Sequence, residues 1–198
     1  LALARQLGDP AAEQAELHAL AVRDARTGHG AEARAGYEQA LALARQLGDP
    51  AAEQAELHAL AVRDARTGHG AEARAGYEQA LALARQLGDP AAEQAELHSL
   101  AVLDFSDGNL DAARKGYEEA LAIARRLGDP AAEAVELRNL ADTIRYLGEL
   151  GRARELLEQS LAICERLGNP YEIGKSHEFL GRLDKQEGHR EAAIAHYR

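Results

Sequence analysis

The sequence contains no tryptophan, no methionine and a single cysteine, and aromatic residues make up only 4% of it. Aromatic side chains usually carry much of the apolar area of a protein core, so this core must be built from alanine and leucine. The one cysteine, Cys164, excludes an internal disulfide and suits a reducing compartment, which predicts a cytoplasmic protein. No apolar run approaches the roughly 18 residues that a membrane-spanning helix requires, and we expect no membrane partner.

Positive charge is also scarce, because 23 lysines and arginines stand against 33 aspartates and glutamates, a net charge of −10. A nucleic-acid-binding surface normally has the opposite balance, so no nucleic-acid partner is expected. Lysine is rare, whereas arginine, alanine and glycine are abundant. This composition is typical of a GC-rich bacterial gene and predicts a bacterial source.

The sequence does contain a long exact repeat. Every residue from Leu1 to His58 is identical to the residue 40 places later, and the first difference pairs Ala59 with Ser99. A fixed period of this size is the signature of a repeat architecture, in which each unit buries its apolar face by stacking on its neighbours.

Each repeat carries two helix boundaries. All five prolines fall on the period, and each follows an Asp or Asn that itself follows a Gly: Pro10, Pro50, Pro90, Pro130 and Pro170. Such a Gly closes one helix, the Asp or Asn caps the next, and the Pro occupies its first position. A second Gly stands 20 residues after the first one in each repeat, as Gly28 does after Gly8. This pattern predicts helix A near 10–27 and helix B near 30–47.

The apolar residues follow a helical period on both predicted helices. On helix A of the first repeat the apolar positions are Leu17, Leu20 and Ala21. On helix B they are Ala33, Tyr37, Ala40, Leu41 and Ala44. No segment has the alternation of a strand, so the sequence predicts an all-α protein.

These positions resemble the signature of the tetratricopeptide repeat (TPR) family. The matching residues are Leu20, Ala21, Gly28, Ala33, Tyr37, Ala40 and Leu41, and in the last copy Leu180, Gly181, Gly188, Ala193 and Tyr197. The 40-residue period is similar to the long-helix variant of kinesin light chains and of arrays associated with bacterial signal-transduction ATPases. The resemblance implies a right-handed α-solenoid of antiparallel helix pairs.

The same resemblance implies a single TPR array over residues 1–198, with about five repeats and incomplete helices at both ends. The expected boundaries are a partial helix B at 1–8, then repeats at 9–48, 49–88, 89–128, 129–168 and 169–198, the last one truncated.

In this family helix A lines a concave groove that binds a peptide or a partner helix, and the resemblance implies such a groove here. Its candidate residues are His18, His58, His98, Phe105, Arg138, Asn139, Asp142, Arg145, Tyr146, Lys175 and Arg182. Arg138, Arg145, Tyr146 and Arg182 are the strongest, because arginine and tyrosine are common interface anchors. The alternative is that these side chains are ordinary surface groups.

Other chemistry is not predicted. His18 and its equivalents recur about one helix spacing, roughly 10 Å, apart, too far to share a zinc ion. We therefore expect them to face a ligand or solvent, and predict no metal, cofactor or catalytic residue. Asp24 lies on the apolar phase of helix A and is expected to form an ion pair with Arg34 or Arg23. Cys164 is expected to be a small buried residue.

The function expected from the sequence is a non-enzymatic interaction scaffold or sensor segment of a larger protein. The alternative is a structural spacer or self-associating array with no groove ligand. The identical repeats favour the spacer, whereas the arginine and aromatic residues of repeats three to five favour the groove. Uncapped helix ends also suggest head-to-tail self-association.

Overall fold

The computed structural model describes residues 2–197, and over this range the chain forms eleven α-helices and no strand. In order they are α1 Ala2–Leu7, α2 Pro10–Arg26, α3 Gly30–Leu47, α4 Pro50–Arg66, α5 Gly70–Leu87, α6 Pro90–Ser106, α7 Leu110–Leu127, α8 Pro130–Tyr146, α9 Leu150–Leu167, α10 Pro170–Glu187 and α11 Arg190–His196. The bounds of α2 and α3 confirm the two helices predicted for the first repeat.

The caps that the sequence predicts are present. The Asp49 carboxylate accepts hydrogen bonds from the backbone amides of Ala51 and Ala52, at 3.1 and 3.0 Å, and so satisfies two of the free N–H groups that begin α4. Gly48 closes α3 in the left-handed region, at φ 67°. Only glycine adopts this conformation without steric cost, which explains its place in every repeat.

The chain divides into two compact units, residues 1–96 and residues 97–198, with the division inside α6. In the first unit α2 packs on α3, α3 on α4, and α4 on α5. In the second unit each helix from α7 to α11 packs on the next one along the chain. Each unit is therefore a stack of helix pairs, as the repeat pattern predicts.

Two small residues set the distance between the helices of a pair. Ala21 on α2 faces Gly36 on α3 so closely that a Cβ added to Gly36 would lie 2.8 Å from the Ala21 Cβ. The same contact recurs between Ala61 and Gly76, at 2.9 Å. The close approach of the two helices therefore depends on an alanine of helix A and a glycine of helix B.

The apolar positions predicted on helix B of the first repeat are all buried. In α3 the buried residues are Ala33, Tyr37, Ala40, Leu41 and Ala44. The second unit has a larger apolar cluster that includes the fully buried Leu137 and Leu183. Cys164 belongs to this cluster and is 1% exposed, which confirms its predicted burial. Among the described residues, no helix is long and apolar enough to cross a lipid bilayer.

The close contact predicts the effect of one methyl group. Gly76→Ala should destabilise the chain by about 1–3 kcal/mol, because the new Cβ must push α4 and α5 apart. The clash outweighs the roughly 1 kcal/mol by which alanine favours a helix. Urea unfolding followed by circular dichroism measures the change.

The matched control is Gly70→Ala, where a Cβ meets nothing within 4 Å. It should change the unfolding free energy by less than about 0.5 kcal/mol. The double variant Ala61→Gly/Gly76→Ala should recover part of the loss. Equal effects of the two single substitutions would contradict the close-contact account.

Candidate functional site

The three helix-A histidines each meet a buried glutamate of the following repeat. His18 Nδ1 lies 2.9 Å from Glu56 Oε1, and His58 Nδ1 lies 2.8 Å from Glu96 Oε1. The third pair joins His98 and Glu136 at 2.9 Å. The histidines were expected to face a ligand or solvent, and about a third of each side chain is exposed. Their Nδ1 atoms, however, bridge successive repeats.

The glutamates of these bridges lie out of solvent. Glu56 is 1% exposed, and its Oε1 also accepts a hydrogen bond from Gln14 Nε2 at 2.8 Å. The Oε2 atoms of Glu56 and Glu96 have no hydrogen-bond partner within residues 2–197. Burial raises the pKa of Glu56 above its ordinary value, although the hydrogen bonds and charge of His18 act to lower it.

Tyrosines of helix B complete each bridge. The His18 ring meets the Tyr37 ring edge-on at a centroid distance of 5.7 Å, and His98 meets Tyr117 in the same way at 5.9 Å. Burial, and then the charge of Glu136, raise the pKa of Tyr117. Each histidine is therefore held on one side by a tyrosine and on the other by a carboxylate.

The bridges were missed because Glu56 and its equivalents look like ordinary surface glutamates of an amphipathic helix. A signal was nevertheless present. Each histidine is followed 38 residues later by a glutamate, and in a 40-residue stack that offset places the two on adjacent helices.

The aspartate on the apolar phase forms the predicted ion pair. Asp24 accepts a hydrogen bond from Arg23 Nη2 at 2.8 Å. In the next repeat Asp64 is buried and takes both Arg63 Nη1, at 2.9 Å, and Arg34 Nη1, at 3.1 Å. The structural role is confirmed, and Arg34 reaches across to the following repeat rather than back to Asp24.

A pocket of about 380 Å³ opens between the first two repeats. It is lined by Ala25, Gly30, Ala33, Tyr37, His58, Ala59, Val62, Arg63, Arg66 and Thr67. Within the described part of the chain, the exposed Arg66 guanidinium has no ion-pair partner. The pocket therefore combines an apolar floor with an available cation.

In the second unit the corresponding space is filled by the chain itself. Phe105 and Tyr146 stand two periods after Ala25 and Arg66. Their rings meet edge-on at a centroid distance of 5.4 Å. Two aromatic side chains thus occupy the positions that line the open pocket of the first unit.

Two of the strongest predicted groove residues, Arg138 and Arg145, contact other side chains of the same protein. Arg138 is only 5% exposed, and its Nη1 lies 2.6 Å from Glu172 Oε2. Arg145 donates to Asp142 at 2.9 Å and packs over the Tyr146 ring at 4.2 Å. Their role as groove contacts stays a prediction, and both also have a structural role.

A second depression, of about 470 Å³, brings three predicted residues together. It is lined by Arg145, Tyr146, Arg182, Lys185, Gln186 and Tyr197. Arg182 bonds to Glu178 at 2.5 Å and is nearly half exposed. Of the other predicted groove residues, Asn139 and Lys175 are partly buried and lie outside this depression.

One cluster has the residue types of a metal site. The ligand atoms of Asp184, Glu187 and His189 lie within 4.8 Å of one another. Arg154 already binds two of the three, because its Nη2 donates to Asp184 Oδ1 at 2.5 Å and also bonds to Glu187. Both carboxylates are therefore already paired with a cation of their own unit.

The helix pairs and their caps define a helical-repeat protein. Residues 92–166 match the family model described as tetratricopeptide repeat. No curated protein matches the chain.

Solved structures extend the similarity beyond those residues. BtubC (BKLC) from P. vanneervenii has a TM-score of 0.86 at 26% identity, covering 98% of this chain and 82% of that one. A putative kinesin light chain of Podosopora anserina with nearly identical TPR-like repeats has a TM-score of 0.75 at 25% identity, covering 91% and 90%.

A Signal Transduction ATPase with Numerous Domains from Pyrococcus horikoshii, which has a tetratricopeptide repeat sensor, has a TM-score of 0.80. Its identity is 18%, and the match covers 87% of this chain and 27% of that one. The predicted resemblance to the tetratricopeptide repeat family, and to its kinesin-light-chain and signal-transduction-ATPase arrays, is confirmed.

The bond between Arg154 and the buried Asp184 predicts a large effect on the stability of the chain. Arg154→Ala should destabilise the chain by about 3 kcal/mol, because it removes the arginine from the buried Asp184 carboxylate, and the His196 ring 3.4 Å away is charged only when protonated. The control Arg152→Ala removes an exposed pair with Glu155 and should cost less than about 1 kcal/mol. Urea unfolding of both variants tests this difference, and equal losses would contradict it.

Proposed function

We propose that the chain is a non-enzymatic interaction scaffold or sensor segment that binds an extended segment of a partner protein along the helix-A faces of its repeats. One observation carries this proposal: the pocket that the first unit leaves open is filled in the second unit by Phe105 and Tyr146. The same backbone arrangement therefore accepts large side chains at this point.

The pocket has the chemistry of a side-chain binding site. Ala25, Ala33 and Val62 give it an apolar floor, while Arg63 and Arg66 stand on its lining. Pockets that bind ligands usually combine apolar walls with a few polar groups that fix orientation. The segment that fits carries an aromatic or large aliphatic side chain close to a carboxylate, which Arg66 can bind.

The second unit has another candidate binding surface. Arg182 and Lys185 line a depression whose aromatic members are Tyr146 and Tyr197. In this proposal Arg138 and Arg145 hold the surface in shape through Glu172 and Asp142, and the more exposed cations meet the partner. Rim charges of this kind act mainly on the rate of association and on its salt dependence.

Three findings support a binding role. Tetratricopeptide repeats match the middle of the chain, the matching ATPase carries its repeats as a sensor, and the fold is typical of scaffolds rather than enzymes. A bacterial source and a cytoplasmic location remain predictions from composition.

Filling the pocket should abolish binding there. Peptides are first selected from a phage-displayed random library on the wild-type chain. In Ala25→Phe/Arg66→Tyr, which copies the aromatic pair of the second unit, peptides that use this pocket should bind at least about tenfold more weakly. Isothermal titration calorimetry measures the affinities.

The matched control is Arg26→Ala, an exposed residue of the same helix that does not line the pocket. It should leave the affinity unchanged within about twofold. Selected peptides should contain an aromatic or aliphatic residue beside an acidic one. Peptides without this pattern, or with equal affinity for the filled variant, would refute the pocket.

A spacer function is the second candidate, and the repeated inter-repeat bridges favour it. His18–Glu56 and His58–Glu96 fix successive repeats of the first unit in the same way. A library that yields no peptide on either unit would favour the spacer. Light scattering over a concentration series tests head-to-tail self-association, which should raise the apparent mass as concentration increases.

A further inference from the structure

We propose that the three histidine–glutamate bridges make the stacking of successive A helices depend on pH, so that the chain is most stable in mildly acidic solution and loosens as the histidines lose their protons. This inference goes beyond the proposed binding function and requires no ligand.

In each bridge the histidine is partly exposed to solvent, whereas its glutamate partner is buried. About a third of the His18 side chain is exposed, whereas the Glu56 side chain is 1% exposed. Solvent therefore reaches the histidine, while the charge of Glu56 must be balanced inside the fold.

Among the described residues, His18 is the group that can place a positive charge beside Glu56. The titratable groups that face it are His18 from α2 and Tyr37 from α3, and the neutral Gln14 from α2 also donates to its Oε1. No arginine or lysine forms an ion pair with Glu56 in the part of the chain that the structure describes.

Glu96 has the same surroundings. His58 and Gln54 from α4 both bond to its Oε1, and Tyr77 packs on the His58 ring. Within residues 2–197 no arginine or lysine is paired with Glu96 either. Histidine is thus the cation available to both of these buried carboxylates.

The third bridge lies in a more acidic setting. Tyr117 from α7 faces Glu136, Asp142 and Asp104, while His98 Nδ1 lies 2.9 and 3.1 Å from the two Glu136 oxygens. A protonated His98 therefore interacts with both oxygens of one carboxylate and stands near two further acids.

The sign of the pH effect follows from the charge balance. When the imidazole is protonated, Nδ1–H donates a charge-assisted hydrogen bond to a carboxylate in a weakly polar environment. When the imidazole is neutral, the hydrogen bond can persist, but the buried carboxylate lacks a counter-charge. Stability carried by the charged bridges is therefore lost as rising pH removes the protons of the imidazoles.

Burial of the glutamate acts in the same direction. The pKa of Glu56 is raised in the folded chain, chiefly by burial. A carboxyl group that holds its proton more tightly when folded stabilises the fold at low pH, and this contribution is lost as pH rises through the raised value.

The test compares unfolding at about pH 5.5 and about pH 8, on either side of the histidine titration. For the wild type, urea unfolding followed by circular dichroism should give a folding equilibrium constant at least about tenfold greater at the lower pH. In His18→Asn/His58→Asn/His98→Asn, the amide nitrogen can take the place of Nδ1 without a charge, and most of this difference should disappear.

The matched control is His29→Asn/His69→Asn. These exposed histidines bond to Thr27 and Thr67 in the turns, and the control should keep the wild-type pH dependence. His177, His189 and His196 are present in every variant, so their contribution cancels in the comparison.

A second variant tests the proposal independently, in case the triple substitution does not fold. Glu56→Gln/Glu96→Gln keeps the shape and removes the two buried charges, and it should also reduce the pH difference. The proposal is overturned if the wild type is more stable at the higher pH, or if the folded bridge variants keep the full wild-type difference while the control matches them.

Discussion

The structure depends on how closely the two helices of a repeat approach each other. Ala21 and Gly36, and again Ala61 and Gly76, leave no room for another methyl group between their backbones. With few aromatic residues to fill a core, close approach of small residues is the main way for this composition to reach the packing density of a folded protein. The caps at Asp49 and Gly48 then fix where each helix begins and ends, and so keep the small residues in register.

Charged groups, rather than apolar ones, bridge neighbouring repeats at several buried points. Arg34 reaches Asp64, Arg154 reaches Asp184, and the histidines reach glutamates of the following repeat. A buried ion pair adds little net stability compared with an apolar pair of the same shape. Removing one partner is nevertheless costly, because the other charge is then buried without a counter-charge. Such pairs penalise any stacking register that leaves one partner of a pair without the other.

The sequence predicted the fold more completely than the site. Gly, Asp or Asn, and Pro act through local backbone geometry, so the helix bounds of the first repeat could be read from Asp9 and Pro10 together with Gly28 and Gly48. The buried role of Glu56 could not be recognised on a single helix, because its partner lies 38 residues away on another one. The pocket was hidden for a similar reason: whether Ala25 leaves a space depends on what stands at Arg66, and in the second unit Phe105 and Tyr146 close that space together. Arg138 illustrates another difficulty, since its residue type suggested a contact with a partner but did not reveal its bond to Glu172, which is 34 residues away in the chain.

The bridges have a consequence for how such an array can change in length. Each one joins a residue to another 38 positions later, so both halves of a bridge are supplied by any two adjacent copies of the unit. Insertion or loss of one whole 40-residue copy between the first two repeats would therefore add or remove one bridge and leave every other junction intact. An insertion or deletion that is not a whole number of 40-residue copies would separate a glutamate from its histidine and place an unpaired carboxylate inside the stack. Gain or loss of a whole copy of this identical amino-acid sequence can thus produce a longer or a shorter folded variant in a single step.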